Sequence, residues 1–167
     1  RRAYEAYLRL APNDAGALYN YGLTLFTENA PAQAVPILRD AIQHNAQNTD
    51  AYSALAVALI ENLQRSDLNI LEVANALQQL VQDFNLTHEK AAQLVGRSRS
   101  SVTNILRLLE LSQPVKDALY NNDIEMGHAR AMLTLSESQQ KMLLAETLAR
   151  KYSVRQIEAR GKQLQTT

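Results

Sequence analysis

Side chains suited to binding a polyanion are concentrated in one short stretch near the middle of the chain. Arginine guanidinium groups pair with phosphates or guanine edges, and hydroxyl and amide groups hydrogen-bond to base edges and backbone. Small residues at the start of a helix also let its backbone amides approach a phosphate. The stretch contains Arg97, Ser98, Arg99, Ser100, Ser101, Thr103, Asn104 and Arg107. These residue types favour a nucleic-acid surface; the alternative is a solvated helical hairpin with incidental arginines.

A helix-turn-helix over residues 86–111 is predicted to position these side chains. Thr87, itself a candidate DNA contact, is the expected N-cap of the first helix, with Lys90 rather than Glu at the position that completes a capping box. Gly96 is expected to end that helix and Ser98 to cap the second. The apolar positions are Ala91, Ala92, Leu94 and Val95, then Val102, Ile105, Leu106, Leu108 and Leu109. This spacing favours DNA binding.

The composition leaves few options for catalysis. The chain has 167 residues, is 46% hydrophobic and contains no cysteine, which excludes a disulfide framework and a cysteine-based zinc site. His44, His88 and His128 share no ligand spacing with one another or with a carboxylate cluster. The serines lie near no His–Asp pair, and the five glycines are scattered rather than gathered in a phosphate loop. We therefore predict no catalytic residue and no metal site.

The net charge of zero conceals an asymmetry along the chain. Residues 1–58 carry four basic and five acidic side chains, and residues 59–85 carry one and four. Residues 86–167 carry twelve and eight, so a polyanion is expected to bind the C-terminal half. No uninterrupted apolar run approaches the length of a membrane span, so no membrane partner is expected.

The N-terminal part shows a helical repeat with a period of 34 residues. In this register Leu18 aligns with Tyr52, Tyr21 with Leu55, Gly22 with Ala56 and Tyr4 with Leu38. The pattern resembles the tetratricopeptide repeat, with one full unit over 15–48 between two half-units. It departs from that repeat because Leu18 replaces the usual Trp, Ala46 replaces the usual Pro, and Pro36 falls inside the second helix, where it is expected to remove a hydrogen bond. A generic helical hairpin is the alternative.

Three collinear motifs within residues 49–167 resemble the ParB family of plasmid and chromosome partition proteins. They are ALIENLQRSDLN, GRSRSSVTNILRLLEL and GHARAML at 127–133. The resemblance implies that the helix-turn-helix recognises a short palindromic, centromere-like DNA site and that His128 and Arg130 lie beside the DNA backbone. It also implies that the segment containing Glu61, Asn62, Gln64 and Arg65 closes a pocket for CTP and magnesium in the family.

The chain departs from the family upstream of this segment, where a mixed α/β domain with a G-E-R-R motif normally supplies most nucleotide contacts. No such motif is present, so we expect no cofactor and no CTPase activity in this segment. The linker and dimerisation domain that follow in the family are also not found, so we expect a monomer or weak dimer that pairs with a second copy on a palindrome.

These observations predict an all-α protein in which a tetratricopeptide-like hairpin, residues 1–58, is fused through a shared helix at about 49–65 to a helix-turn-helix domain, residues 59–167. The expected function is sequence-specific binding of double-stranded DNA in partition. The alternatives are a ParB-like transcriptional regulator, a tetratricopeptide interaction scaffold and, more remotely, a CTP-dependent clamp enzyme. The resemblance implies a bacterial cytoplasmic location on nucleoid or plasmid, with a partition ATPase as a further candidate partner.

Overall fold

The computed structural model describes residues 1–166, and that part of the chain contains helices and no strand. The all-α prediction is confirmed. The α-helices are α1 Arg2–Leu10, α2 Ala15–Thr27, α3 Pro31–His44, α4 Thr49–Leu63, α5 Ile70–Asp83, α6 His88–Val95, α7 Arg99–Arg107, α8 Gln113–Tyr120, α9 Met126–Ala131, α10 Glu137–Arg150 and α11 Val154–Gln165. A short 3₁₀ helix, Leu108–Glu110, follows α7.

The chain divides into two compact units, one spanning Arg1–Ser66 and the other beginning at Asp67. The helix expected to be shared between domains is α4, which ends at Leu63 and lies wholly in the first unit. The helix predicted at about 49–65 is present as α4, and its sharing between the two predicted domains stays a prediction. The apolar pattern of α4 continues up to Leu63. The next three residues, Gln64, Arg65 and Ser66, are polar and exposed, so they add no apolar face that would extend the helix along the core.

The first unit is built from α1 to α4, each packed against the next. Gly22 of α2 lies against Leu38 of α3, and a Cβ at Gly22 would stand 2.6 Å from the Leu38 side chain. The rings of Tyr4 and Tyr21 stack with centroids 6.1 Å apart, and the Tyr21 hydroxyl donates to Glu5 Oε1 at 2.9 Å. Pro36 lies inside α3, which continues through it. The predicted hairpin over 15–48 corresponds to α2 and α3.

The second unit contains α5 to α11, and one apolar core cluster joins α5 and the 3₁₀ helix to α8, α9, α10 and α11. Asn69 caps α5 and Glu72 completes a capping box, because its carboxylate accepts from the Asn69 backbone amide at 2.8 Å. The core includes Leu108, Val115, Met132, Leu143 and Ile157, all fully buried.

A buried glutamine connects three segments of this core. Gln140 is 5% exposed; its Oε1 accepts from the Ser112 amide at 2.8 Å, and its Nε2 donates to the Leu135 carbonyl at 3.1 Å. Ser112 precedes α8, but its hydroxyl makes no capping bond and is buried without a partner. Gln140 thus holds the backbone of the residue that precedes α8.

Candidate nucleic-acid interface

The α6–turn–α7 segment forms from local capping chemistry. The Thr87 hydroxyl accepts from the Lys90 amide at 3.2 Å, and the Ser98 hydroxyl accepts from the Ser101 amide at 3.1 Å. Gly96 ends α6 with φ of +68°, a left-handed conformation that glycine adopts without strain. The predicted cap, turn and cap are all present, and they set the start of α7.

One face of α7 anchors it to the unit. Val102 and Ile105 are buried, as is Leu108 in the 3₁₀ helix that follows. Leu106 and Leu109, predicted to face the core, are only partly buried and line a groove beside His88 and Thr103. Leu94 of α6 was also expected in the core, but it is 49% exposed because α6 buries only its two small alanines, Ala91 and Ala92.

The remaining face of α7 carries the predicted polar side chains. Arg99, Ser100 and Arg107 are exposed, and Ser101, Thr103 and Asn104 are partly buried. Residues 99, 103 and 107 follow a spacing of four and therefore lie on one side of the helix. This polar face runs along α7 from its first two residues, Arg99 and Ser100, which are exposed. Such a face can present both guanidinium and hydroxyl groups to a polyanion.

Four of the predicted DNA-contact residues are arginines that form no ion pair within residues 1–166, as is also true of Arg150 and Arg155 elsewhere in the second unit. Arg97, Arg99, Arg107 and Arg130 are exposed, and within residues 1–166 none of them forms an ion pair. Arg160 is the contrast, because it makes a two-pronged contact with Glu146 at 2.9 and 3.0 Å. The four unpaired guanidinium groups remain available to an external anion.

His88 contacts a predicted site residue, and sequence reasoning did not find this contact. Its Nδ1 lies 2.9 Å from the Thr103 hydroxyl and so joins α6 to the polar face of α7. The two residues stand fifteen positions apart, and no spacing rule pairs a helix N-terminal histidine with a threonine in the next helix. This hydrogen bond fixes the Thr103 rotamer.

His128 is held in a defined orientation at the start of α9. Its Nδ1 accepts from the Glu125 amide at 3.0 Å, so the neutral ring carries its proton on Nε2. Because Nδ1 is occupied, only Nε2 remains to donate to a phosphate oxygen. Gly127 allows close packing there, since a Cβ would lie 2.9 Å from Val154.

The four predicted nucleotide-binding residues lie at or just after the end of α4, in the first unit. Glu61 and Asn62 are in its last turn, and Gln64 and Arg65 follow it. The Asn62 Oδ1 is buried without a hydrogen-bond partner. Nucleotide binding by these residues stays a prediction.

Two further features concern the described part of the chain as a whole. Across residues 1–166, no three histidine, cysteine or carboxylate side chains gather in a way that would hold a metal ion. In the same residues, every helix is too short or too polar to cross a bilayer.

Comparison with known proteins identifies the second unit. The family model for the ParB HTH domain matches residues 66–166. The "Probable chromosome-partitioning protein ParB" of Xylella fastidiosa is 50% identical over 114 residues, which are 68% of this chain and 37% of the relative. The protein of the same name from Pseudomonas putida is 47% identical over 124 residues, covering 74% of this chain and 43% of the relative. The chain thus spans about two fifths of the length of these curated relatives.

Two solved structures share this fold. One is the C-terminally truncated ParB from Caulobacter crescentus complexed to the centromeric parS site, with a TM-score of 0.65 and 33% identity over 74% of this chain and 70% of that one. The other is the DNA-binding domain of a ParB complexed to parS, with a TM-score of 0.61 and 37% identity over 67% of this chain and 79% of that one.

Proposed function

The chain belongs to the ParB family, and from that premise we propose that its second unit binds double-stranded DNA sequence-specifically at a palindromic, centromere-like site during chromosome or plasmid partition. The observation that supports this most directly is the polar face of α7. It carries exposed, unpaired arginines on a capped helix whose opposite face is buried. Two relatives with the same fold were solved with parS DNA.

The proposed contacts divide into two kinds. Base edges in the major groove are read from α7 by Arg99, Thr103, Asn104 and Arg107. The DNA backbone is held by the flanking residues Thr87, Arg97, Ser98, Ser100, Ser101, His128 and Arg130. The Thr87 hydroxyl already accepts a backbone hydrogen bond, so its proton is left to donate. The Ser98 hydroxyl also accepts one, and its oxygen lies 3.3 Å from the Ser100 hydroxyl oxygen, so these two serines share a proton that can be turned to a phosphate.

The test is a fluorescence-anisotropy titration with palindromic duplexes enriched from a random pool, against scrambled duplexes of equal length. We expect saturable binding that prefers the palindrome. If a monomer neutralises a handful of phosphates, a log–log plot of affinity against salt should have a slope of roughly −4 to −6. Equal affinity for both duplexes, or no binding at low salt, would contradict the proposal.

Partners and location follow from the same proposal. A second copy of the chain occupies the other half of the palindrome, because one helix-turn-helix reads one half-site. A partition ATPase is a further proposed partner, and the proposed location is the bacterial cytoplasm, on the nucleoid or a plasmid.

We also propose that this segment alone neither binds nor hydrolyses CTP. Glu61, Asn62, Gln64 and Arg65 would contact only one side of a nucleotide and leave its base and most phosphate oxygens in water. So few contacts cannot offset the translational and rotational entropy that the nucleotide loses on binding. Calorimetry with CTP and magnesium should show no saturation at micromolar nucleotide. Micromolar affinity that Asn62→Ala abolishes would overturn this.

For the first unit we propose a tetratricopeptide-like repeat over 15–48 between two half-units. The support is the close approach of Gly22 to Leu38, two positions that the 34-residue register assigns to the packed face. Gly22→Ala should lower the unfolding free energy by about 1–3 kcal/mol, because Leu38 is fully buried and has little room to move.

Gly16→Ala is the matched control for that substitution. A Cβ at Gly16, also in α2, meets only Asp14 Oδ1, at 3.4 Å. The control should be neutral or gain up to about 1 kcal/mol from the better helix propensity of alanine. Thermal melting curves compare the stabilities of the two variants. Equal stability would contradict the predicted close packing of Gly22 against Leu38.

A further inference from the structure

One hydrogen bond in the second unit joins the first helix of the helix-turn-helix to a residue that is proposed to read a base. The Nδ1 atom of His88, the first residue of α6, lies 2.9 Å from the hydroxyl oxygen of Thr103 in α7. Both side chains are partly buried, so the contact lies at the edge of the packed surface. Thr103 therefore meets a ligand with one side of its hydroxyl already engaged.

The hydroxyl of Thr103 differs from two other threonine hydroxyls of the chain in the partner that it uses. Thr24 and Thr147 each donate to the carbonyl oxygen one turn back along their own helix, at 2.9 and 2.7 Å. Helical threonines commonly make this bond. Among the described residues, Thr103 makes no such bond, and its hydroxyl contacts only the imidazole of His88. The proton of the Thr103 hydroxyl is therefore free to be donated to the ring.

The charge of the imidazole decides which of the two groups donates in this hydrogen bond. A neutral ring with its proton on Nε2 leaves Nδ1 as an acceptor, so the Thr103 hydroxyl donates to it and has only lone pairs left for a ligand. A charged ring carries a proton on both nitrogens, so Nδ1 donates and the Thr103 proton turns outward. Histidine is the side chain that ordinarily changes its charge between pH 5 and 8. The same threonine thus presents an acceptor in one state and a donor in the other.

The groups around His88 impose neither state through a fixed counter-charge. The ring borders an open groove of about 340 Å³, to which α5 contributes only uncharged side chains. Two charged residues of opposite sign line this groove, Arg107 from α7 and Glu110 from the 3₁₀ helix, and both are exposed. On α6 itself, Glu89 and Lys90 follow the histidine and are also exposed and of opposite sign.

We propose that His88 selects the base that Thr103 reads, and that protonation of His88 exchanges one base preference for another. This inference rests on the proposed function, because Thr103 acts on the duplex that α7 binds. With His88 neutral, Thr103 accepts a hydrogen bond from the amino group of adenine or cytosine. With His88 charged, Thr103 donates to the O6 atom of guanine or the O4 atom of thymine. His88 is thus a positioning residue that acts on specificity through Thr103.

The contacted base pair is located first, with a variant that keeps the shape of Thr103 and removes its hydroxyl. Palindromes carrying each of the possible base pairs at each position of the half-site are titrated at about pH 8, where a histidine is ordinarily neutral. Thr103→Val should lose the preference at one position and keep it at the others. If this variant keeps every preference of the unchanged protein, Thr103 reads no base and the inference is wrong.

The second measurement is a ratio of affinities at that position, for a base with an amino group over the base of the same size with a keto group. Adenine is compared with guanine, or cytosine with thymine, on the contacted strand. Between about pH 8 and about pH 5.5 the ratio should fall by on the order of fivefold, the low end of what one base contact contributes. Phosphate contacts carry no sequence information, so a change in their strength affects both duplexes equally and cancels in the ratio.

His88→Asn is the decisive variant, because it places an uncharged amide near the position of the ring nitrogen. Its ratio should be the same at both pH values. His44→Asn is the matched control, since His44 is an exposed histidine at the end of α3, and its ratio should shift as that of the unchanged protein does. A merely structural role of His88 would not produce a base preference that changes with pH.

The outcomes separate this inference from the proposed function. If the unchanged protein binds palindromic and scrambled duplexes alike, the proposed function fails and the inference fails with it. If it prefers the palindrome but the ratio is the same at both pH values, or still shifts in His88→Asn, the inference alone is wrong. Melting curves at both pH values confirm that each variant folds.

Discussion

Arg99 starts α7 with its guanidinium group exposed and without a carboxylate partner. It lies on the same side of the helix as Thr103, whose side chain is oriented by His88. A flexible cation next to a fixed hydroxyl suits a base edge, where geometry matters, better than a phosphate, where charge alone suffices. Arg99 is therefore the residue at which specificity is best tested.

Arg99→Ala should cost about 1–3 kcal/mol of binding free energy on the preferred palindrome and relax the preference at one base pair. Anisotropy on a set of singly substituted palindromes measures both effects. Arg150→Ala is the control, because Arg150 is an exposed arginine of the same unit whose Nη1 contacts only the Tyr152 hydroxyl, at 3.2 Å. A loss of equal size on every duplex would assign Arg99 to phosphate, and no loss would refute both roles.

At the scale of residues, the sequence predicts those structural features that depend only on residues nearby in the chain. The caps at Thr87, Ser98 and Asn69 and the left-handed turn at Gly96 follow from residues within four positions. The His88–Thr103 hydrogen bond and the two bonds of Gln140 join residues that only the tertiary fold brings together.

At the scale of elements, α10 and α11 support α9, the helix that carries His128 and Arg130. Arg160 of α11 donates to both carboxylate oxygens of Glu146 in α10, at 2.9 and 3.0 Å. These hydrogen bonds lower the pKa of Glu146 below its ordinary value. The two-pronged pair fixes the helices relative to one another more firmly than a single contact would.

The stability contributed by this pair should depend on pH in the acid range. Because the pKa of Glu146 is lower in the folded state, its contribution is fully present above the ordinary Glu pKa, about 4.3, and is lost as pH falls through the folded value. Glu146→Gln should therefore lower the melting temperature at neutral pH, with the difference from the unchanged protein shrinking below about pH 4.

Glu137→Gln is the control for that experiment. Glu137 also pairs with a cation, Lys141, but the two lie on one helix with side chains 69% and 52% exposed, so their pair should add little. A melting difference for Glu146→Gln that stays constant from pH 7 to pH 3 would contradict the assigned ion pair.

Element positions were largely predictable, and element ends less so. The apolar pattern of the sequence does not mark the ends of two helices, since α9 ends at Ala131 and α10 ends at Arg150. In both cases the apolar pattern continues past the helix, because Leu133 and Tyr152 pack on the core from outside it. Hydrophobic periodicity indicates which residues are buried, but it does not indicate where the helical backbone hydrogen bonds end.

At the scale of the whole molecule, the chain consists of two compact units with different proposed roles. The second unit holds the proposed DNA contacts and the basic excess of the sequence. The first unit holds the helices proposed to form a tetratricopeptide-like repeat and the residues predicted to bind nucleotide. The predicted boundary at 58/59 remains a prediction, whereas the division into compact units falls between Ser66 and Asp67.

The central claim is that each chain reads one half of a palindrome through α7. Sedimentation velocity tests it most directly, first with the free protein and then with a duplex carrying the whole palindrome or one half-site. We predict a monomer or weak dimer when free, two chains on the whole palindrome and one on the half-site, with half-sites about one helical turn apart. A free dimer that survives nanomolar dilution, or one chain bound to the whole palindrome, would contradict the account.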